Sequence, residues 1–246
     1  MEYEVLTGII SGATVAPIIS IVDKAIFSNA SGKATFMESF RESAMLVAKK
    51  PLQFLKGPSF LWIWAVYGAT YVASNCTDRY ARQRKIDVAS SVLAATSTTN
   101  IGMSVIKDRA FSRMYGTTAP RPIPLGSLAC YGTRDFITVA ASFTLVQPIA
   151  HQLTSMFGLE KSTALLISQL CCPILAQLTN TPIFLYGMDL YNKPVATSAQ
   201  RAEFIKAQYW NTFMLRIARI GPAFSIGGVI NRYLRGTLCP PMEGQH

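Results

Sequence analysis

Two arginines stand at the head of long apolar stretches, an arrangement that suits the binding of a negatively charged group. Arg134 opens the stretch RDFITVAASFTLVQPIA, and Arg219 opens RIGPAFSIGGVINRYLR. An arginine within a bilayer usually faces the interior of a helix bundle or a wet cavity. A guanidinium matches carboxylate and phosphate geometry, so the pair could hold an anionic solute or a lipid headgroup. Lys107 is a third candidate for binding the same anion.

The same arginines also have a purely structural interpretation. Arg134 could pair with a nearby acid, either Asp135 or Asp189, and Arg219 could bond to backbone carbonyls or to a bound lipid. Arg216 lies one helical turn before Arg219 and is expected either beside it or at the membrane interface. The sequence leaves both interpretations open.

No other residues form a recognisable chemical site. The two histidines and five cysteines show no metal-ligand spacing. No glycine-rich phosphate loop and no paired nucleophile and base stand out. We therefore expect no metal, no cofactor and no enzymatic chemistry.

The composition favours a membrane protein. Half of the residues are apolar and 15% are charged, whereas soluble domains carry roughly 25% charge. The net charge of +10 suits either nucleic acid or an anionic lipid or solute. Because the basic residues do not form a run interleaved with aromatics, we expect no nucleic acid and favour anionic lipids or solutes.

The pattern of apolar residues predicts six membrane spans, at residues 5–28, 57–77, 87–112, 125–150, 162–191 and 208–235. Gly8 and Gly12 in the first span form a small face that would let another helix approach closely. Residues 36–50 are predicted to form a short amphipathic surface helix that ends at Pro51. The loops after the odd spans hold 13 of the 23 Lys and Arg. The positive-inside bias therefore predicts that both termini lie on the opposite side of the membrane.

The spans also suggest a threefold internal repeat within one transmembrane domain, residues 1–246. Kink-prone residues coincide in the odd spans, namely Pro17, Gly102 and Pro182. Arg134 and Arg219 coincide in the even spans. The repeats are placed at approximately 1–85, 86–155 and 156–246.

This pattern resembles the mitochondrial carrier family. The FLKG sequence at residues 54–57 is similar to the family's aromatic–basic–glycine step, and Arg219 with Pro222 is similar to its R-x-x-P opening. The resemblance implies an all-α membrane protein with six transmembrane helices in three pseudo-repeats around a central cavity. It also implies the mitochondrial inner membrane, with both termini on the intermembrane-space side.

The chain departs from that family at the charged positions that form its two gates. Of the charges expected there, Lys107 on the odd helices and Asp78 and Arg235 on the even helices are retained. Alternating access needs two closed states of similar free energy, and ion pairs are a natural way to balance them. The losses favour a carrier-like protein that no longer transports.

Two functions follow from the resemblance and the lost gates. The first is an accessory subunit of an inner-membrane assembly, such as a respiratory complex or ATP synthase. Its cavity would hold membrane lipid, with cardiolipin as a candidate. The alternative is a working mitochondrial solute carrier for a small anionic substrate.

Overall fold

The protein is all-helical. The computed structural model describes residues 1–119 and 121–239, except the side chains of 142–144, 221–226 and 228. Helix accounts for 87% of the described residues, which contain no strand. The helices are α1 (Glu2–Ala30), α2 (Phe36–Lys49), α3 (Pro51–Leu55), α4 (Pro58–Arg84), α5 (Val88–Tyr115), α6 (Leu125–Thr144), α7 (Val146–Phe157), α8 (Lys161–Asn192) and α9 (Ser198–Leu238).

Local chemistry sets several helix ends. Pro58 opens α4 at a position where its missing N–H costs nothing and its fixed φ suits a helix. Lys85, with a φ of 56°, ends α4, and Gly158, with a φ of 63°, ends α7. Both residues are in the left-handed conformation that commonly follows a helix. At the start of α5, the Ser90 amide donates to Asp87 Oδ2 at 3.1 Å, as in a helix N-cap.

Two helices are long and apolar enough to cross a membrane, α1 with a mean hydropathy of 2.1 and α8 with 1.4 in their most apolar windows. A bent pair, Leu125–Ala141 with Val146–Phe157, adds a third candidate if it counts as one span. The other predicted spans coincide with the long helices α4, α5 and α9. Polar and charged residues lower the hydropathy of those three helices, so the arrangement of six spans in three repeats is not established.

The residues divide into two compact units. Unit 1 comprises Met1–Ala25, Met37–Lys107 and Gly221–His246, and unit 2 comprises Ile26–Phe36 and Asp108–Ile220. Helices α1, α5 and α9 therefore contribute residues to both units. The division of the chain into three repeats stays a prediction.

In unit 1, helices α1 and α4 approach each other at glycines. A Cβ added to Gly12 would lie 2.5 Å from the backbone N of Gly68, and one added to Gly8 would lie 2.7 Å from the backbone N of Val72. Trp64 Nε1 also donates to the carbonyl of Ile9, which ties α4 to α1 at 3.0 Å. The close helix approach predicted from Gly8 and Gly12 is confirmed.

Helix α2 is also present where the sequence predicts a surface helix, but it is oriented differently from the usual amphipathic pattern. Ser39 and Ser43 are its buried residues. Met37 and Met45 are exposed by 66% and 42%. Small serines permit close contact with the rest of unit 1, which leaves the long apolar side chains on the outside.

In unit 2, aromatic rings fill the interior. The Phe27 ring meets the rings of Phe111 and Phe184 edge-on, with centroid distances of 5.3 and 5.0 Å. All three phenylalanines are buried, as is Tyr131. Edge-to-face contacts of this kind contribute beyond simple burial. These rings form an aromatic cluster that contacts the charged residues described below.

The three predicted kink residues lie inside continuous helices. Pro17 is within α1, Gly102 within α5, and Pro182 within α8, which also contains Pro173. The side chain of Pro222, part of the R-x-x-P comparison, lies outside the described residues. Whether these positions bend their helices stays a prediction.

Candidate functional site

Arg134, on α6 in unit 2, is buried between two carboxylates. Its Nη2 lies 2.6 Å from Asp108 Oδ2 and 2.7 Å from Asp135 Oδ1, and its Nε donates to the same Asp135 oxygen at 2.9 Å. The Arg134 side chain is 6% exposed. Pairing with Asp135 is one of the two pairings foreseen from the sequence. The other was wrong in detail, because Asp189 pairs with Arg201 at 2.5 Å.

Arg216, on α9, contacts the same aromatic cluster. Its Cζ is 4.9 Å from the centroid of the Phe184 ring, and the Cζ of Arg134 is 5.6 Å from that centroid. Guanidinium groups at such distances are attracted by the negative face of the ring. Two cations thus share one ring, which places their charges close together.

The polar partner of Arg216 is neutral. Its Nε donates to Gln177 Oε1 at 2.9 Å, and the residue is 6% exposed. Within the described parts of the chain, no carboxylate forms an ion pair with Arg216. A buried charge without an ionic partner is costly. Arg216 is therefore the side chain of the site whose burial costs the most free energy.

Arg219 completes a group that we call the arginine cluster, namely Arg134, Arg216 and Arg219. The positive charges of Arg134 and Arg219 repel Arg216, and Asp135 and Asp108 attract it. Arg219 itself is half-buried. The structure thus places Arg134 and Arg216 at one ring, and Arg219 follows Arg216 by three residues on α9. The spacing of Arg216 and Arg219, one helical turn apart, was the signal for Arg216.

Lys107, the third predicted binding residue, belongs to unit 1. Its Nζ lies 2.9 Å from Asp23 Oδ2, and the two side chains are 5% and 2% exposed. Asp23 was not singled out from the sequence, although it is an acid within the apolar first span. Each charge of this ion pair compensates the other, and both are removed from water.

The two predicted gate charges, Asp78 and Arg235, do meet in unit 1. Arg235 Nη2 lies 2.8 Å from Asp78 Oδ2, and Arg235 Nε lies 2.8 Å from Glu4 Oε2. Arg79 approaches the other oxygen of Glu4 at 3.5 Å. This ion-pair network joins α1, α4 and α9.

Beside that network lies a buried amide pair that sequence reasoning missed. Asn75 and Asn231 each donate to the other's side-chain oxygen at 2.9 Å. Ser11 Oγ donates to Asn231 at 3.2 Å, and Asn75 donates to Thr7 Oγ1 at 3.2 Å. Polar residues at these depths in helices usually bond across a helix interface. Their position within apolar stretches was the available signal.

The described residues contain no group of three His, Cys, Asp or Glu side chains that could hold a metal ion. They do contain charged and hydrogen-bonded side chains that are buried between helices. The site can therefore pair with ionic groups of a ligand, and it offers no obvious nucleophile or redox centre.

Long helices of membrane-spanning composition, with ion pairs buried between them, define the class as a helical protein with candidate membrane spans. The chain belongs to a family described as "Probable citrulline exporter", whose model matches residues 7–239. No individual curated protein matches the chain.

This membership overturns three expectations. The identification with the mitochondrial carrier family is wrong, and so is the role of accessory subunit in a respiratory complex or ATP synthase. The mitochondrial inner membrane, with both termini on the intermembrane-space side, is not supported. The resemblance depended on short patches and on kink-prone residues, which many helical membrane proteins share because helices in lipid tolerate proline and glycine. The alternative of a solute carrier is closer to the family.

Proposed function

We propose that the protein is a membrane transporter that exports citrulline, or a closely related neutral amino acid, without changing it chemically. Two features support the proposal. The family match covers nearly the whole chain, and unit 2 contains charges that suit an amino acid. The membrane concerned is the plasma membrane, since export means passage out of the cell.

Citrulline has three groups that a binding site must satisfy: an α-carboxylate, an α-ammonium and a neutral ureido group. A guanidinium binds a carboxylate in two parallel hydrogen bonds, which is among the strongest polar contacts in proteins. Amide side chains, such as that of Gln177, match the ureido group in polarity and geometry. Gln177 also fixes Arg216 at 2.9 Å.

The observation that carries the proposal is the buried Arg216 with a neutral partner. A guanidinium that is removed from water gains most from an arriving carboxylate, because the cost of removing the cation from water is already met. We assign Arg216 to the substrate α-carboxylate. Arg134 then acts as a support that holds Asp108 and Asp135 in place.

Substrate reaches this site only after a rearrangement, because Arg134 and Arg216 are almost fully buried. A transporter alternates between states, and its substrate shifts the balance by binding one of them better. We further propose that α4, α5 and α9 cross the membrane together with α1, α8 and the α6–α7 pair. Their polar faces would then line the pathway.

Transport by the purified protein in liposomes tests the assignment. We expect saturable uptake of radiolabelled citrulline by the wild type. Arg216→Gln should lower that uptake roughly tenfold to a hundredfold, as expected for the loss of a charged hydrogen bond worth about 1.5–3 kcal/mol. Arg109→Gln is the matched control, because it removes the same charge from an exposed position of unit 2.

Stability distinguishes a binding role from a structural one. Burial of a cation whose hydrogen-bond partner is neutral costs free energy in the folded state, so Arg216→Gln should melt at or above the wild-type temperature while transport is lost. The assignment is wrong if Arg216→Gln and Arg109→Gln transport equally well. It is also wrong if Arg216→Gln loses transport only because the protein unfolds. Absence of any citrulline flux through the wild type refutes the transport function itself.

Cellular location is tested separately by labelling surface proteins of intact cells with a reagent that does not cross membranes. We expect the tagged protein in the labelled fraction. Recovery in an internal membrane fraction alone would contradict the plasma-membrane assignment.

A further inference from the structure

We infer that Asn180 selects the substrate by its side chain. Its buried Oδ1 accepts a hydrogen bond from a ureido N–H of citrulline, so amino acids with purely aliphatic side chains are rejected. This inference rests on the proposed function. Arg216 is assigned to the carboxylate that all amino acids share, whereas Asn180 is assigned to the side chain, so the two assignments can fail separately.

The hydrogen bonds of Asn180 fix the orientation of its amide. Asn180 lies on α8, in unit 2, and is fully buried. Its Nδ2 donates to Thr138 Oγ1 at 2.7 Å, and that hydroxyl donates to the carbonyl of Arg134 at 3.1 Å. Because a hydroxyl has a single proton, Thr138 accepts from Asn180, and the NH2 end of the amide must face Thr138. The other end of the amide is therefore the oxygen.

The Asn180 Oδ1 atom has no hydrogen-bond partner among the described residues. The large majority of buried side-chain polar atoms do have one, and an acceptor that is buried unpaired destabilises the folded state. Such an atom gains a full hydrogen bond, at no further cost of removal from water, when a ligand supplies the donor.

Asn180 is close to the residues assigned to the amino-acid end of the substrate. It lies three residues after Gln177 on α8, and side chains at this spacing share a helix face, with Cβ atoms about 5–6 Å apart. Gln177 in turn accepts from Arg216 at 2.9 Å. The methylene chain of an extended citrulline, which separates its carboxylate end from its ureido group, has a similar reach. A substrate whose carboxylate is bound at Arg216 can therefore place its ureido group at Asn180.

A second unpaired polar atom lies on the neighbouring helix. Thr212, on α9, is fully buried, and its Oγ1 also has no hydrogen-bond partner within the part of the chain that the structure describes. Arg216, one turn later, donates to Gln177 on α8. Tyr209, three residues before Thr212, donates to the carbonyl of Leu178 on α8 at 2.9 Å. Thr212 therefore lies on the segment of α9 that is bonded to α8, and both helices of this contact contain unused hydrogen-bonding capacity.

An unpaired buried acceptor discriminates between substrates by their donors. A site that is built to hydrogen-bond a polar substrate group rejects an analogue that lacks the group, because the buried partner is then left unpaired. Norleucine has the α-carboxylate, the α-ammonium and an unbranched chain, but its side chain has no N–H. With norleucine in the site, Asn180 Oδ1 would stay unpaired and out of water.

The test compares labelled citrulline and labelled norleucine as substrates of the purified protein in liposomes. For the wild type, a large excess of norleucine should leave citrulline uptake unchanged, whereas the same excess of unlabelled citrulline should abolish it. Asn180→Leu replaces the amide with an apolar group of nearly the same shape. It should lower citrulline uptake and raise the norleucine-to-citrulline uptake ratio roughly tenfold to a hundredfold, as expected when a buried hydrogen bond is exchanged for an apolar contact.

Asn192→Leu is the matched control, because it makes the same change on the same helix at an amide whose oxygen is paired. Asn192 Oδ1 accepts from the backbone N of Thr117 at 3.2 Å. This control should melt at a lower temperature than the wild type and keep the wild-type uptake ratio. Asn180→Leu loses the bond to Thr138 but also removes an unpaired acceptor, so it should melt close to the wild type while its selectivity changes.

Inhibition of wild-type citrulline uptake by norleucine, as strong as that by unlabelled citrulline, would overturn the inference whether or not any variant folds. An unchanged uptake ratio in Asn180→Leu would also overturn it, and so would an equal change of the ratio in Asn192→Leu. If the wild type carries citrulline and any of these results is found, the proposed function stands and the selectivity role of Asn180 falls. If the wild type carries no citrulline, both fall.

Discussion

Replacing Gly12 with alanine tests the closest helix contact of unit 1. The added Cβ would lie 2.5 Å from the backbone N of Gly68 and 2.6 Å from its Cα, where ordinary contacts are 3.4–4 Å. The obstacle is backbone, so no change of rotamer can relieve it. Helices α1 and α4 must therefore move apart by about 1 Å, which would also strain the hydrogen bond from Trp64 to the Ile9 carbonyl.

The size of the effect follows from two opposing contributions. Forcing an extra carbon into a well-packed interface costs roughly 1–3 kcal/mol. Alanine has a helix propensity that is better than that of glycine by up to about 1 kcal/mol. The net expectation for Gly12→Ala is a loss of about 1–2 kcal/mol. Because the obstacle is rigid, the loss should lie near the upper end.

Gly102→Ala is the matched control, since it makes the same change inside helix α5. Among the described residues, and apart from its chain neighbours and the nearby backbone of α5, no heavy atom lies within 4 Å of the position of its added Cβ. Only the gain in helix propensity applies, so this variant should be as stable as the wild type or slightly more stable. The two variants should therefore differ by about 2–3 kcal/mol.

The assay is thermal unfolding of the detergent-solubilised protein, followed by the fraction that still elutes as a monodisperse species after heating. We expect an apparent melting temperature that is several degrees lower for Gly12→Ala than for Gly102→Ala. If Gly12→Ala melts at or above Gly102→Ala, the close approach of α1 and α4 is refuted.

Two other predictions concern helix ends and ion pairs. Arg235→Gln should cost about 1–3 kcal/mol, because it removes a partner of the buried Glu4. Arg82 forms a surface ion pair with Asp78, with its Nε 3.1 Å from Asp78 Oδ1, so Arg82→Gln should cost under about 1 kcal/mol. Equal melting temperatures of the two variants would contradict this. A hydrogen bond with Ser90 lowers the pKa of Asp87. The stabilisation of α5 by the Asp87 N-cap is therefore fully present above the ordinary aspartate pKa, and it is lost as the pH falls through the lowered pKa. Amide exchange in the first turn of α5 should accelerate in Asp87→Ala and at such low pH, but not in Asp87→Asn at neutral pH; protection unchanged in Asp87→Ala would argue against the cap.

The positions of the long helices were largely predictable from the sequence. The span predicted at 162–191 corresponds to α8 (Lys161–Asn192), and the span at 87–112 corresponds to α5 (Val88–Tyr115). Prolines, glycines and capping residues act over a few residues, so they can be interpreted without knowledge of the fold.

One prediction of a single span, at 125–150, missed a break. The structure has two helices there, α6 and α7, separated at Leu145. Pro148 explains the break, because it has no N–H to donate to the preceding turn, and its ring crowds that turn. Proline was a visible signal in the sequence, but prolines inside α1 and α8 are tolerated. Its local effect therefore depends on what packs around the helix.

The candidate site was predictable only in part. Arg134 and Arg219 were found because a charge within an apolar stretch is conspicuous in any sequence. Arg216 stands in an equally conspicuous place, but nothing local distinguishes a buried arginine from one at the membrane interface. Its neutral partner, Gln177, lies on another helix.

The sequence by itself determined that the chain is helical, apolar and cationic, because helix propensity, periodicity and charge are properties of neighbouring residues. Only the tertiary structure decided which acid meets which base. Arg134 pairs with Asp108 as well as with its neighbour Asp135, and Arg201 pairs with Asp189. The rotation of each helix about its axis and its depth against its neighbours set these pairings. Both are fixed by packing across the whole interface, which no single segment encodes.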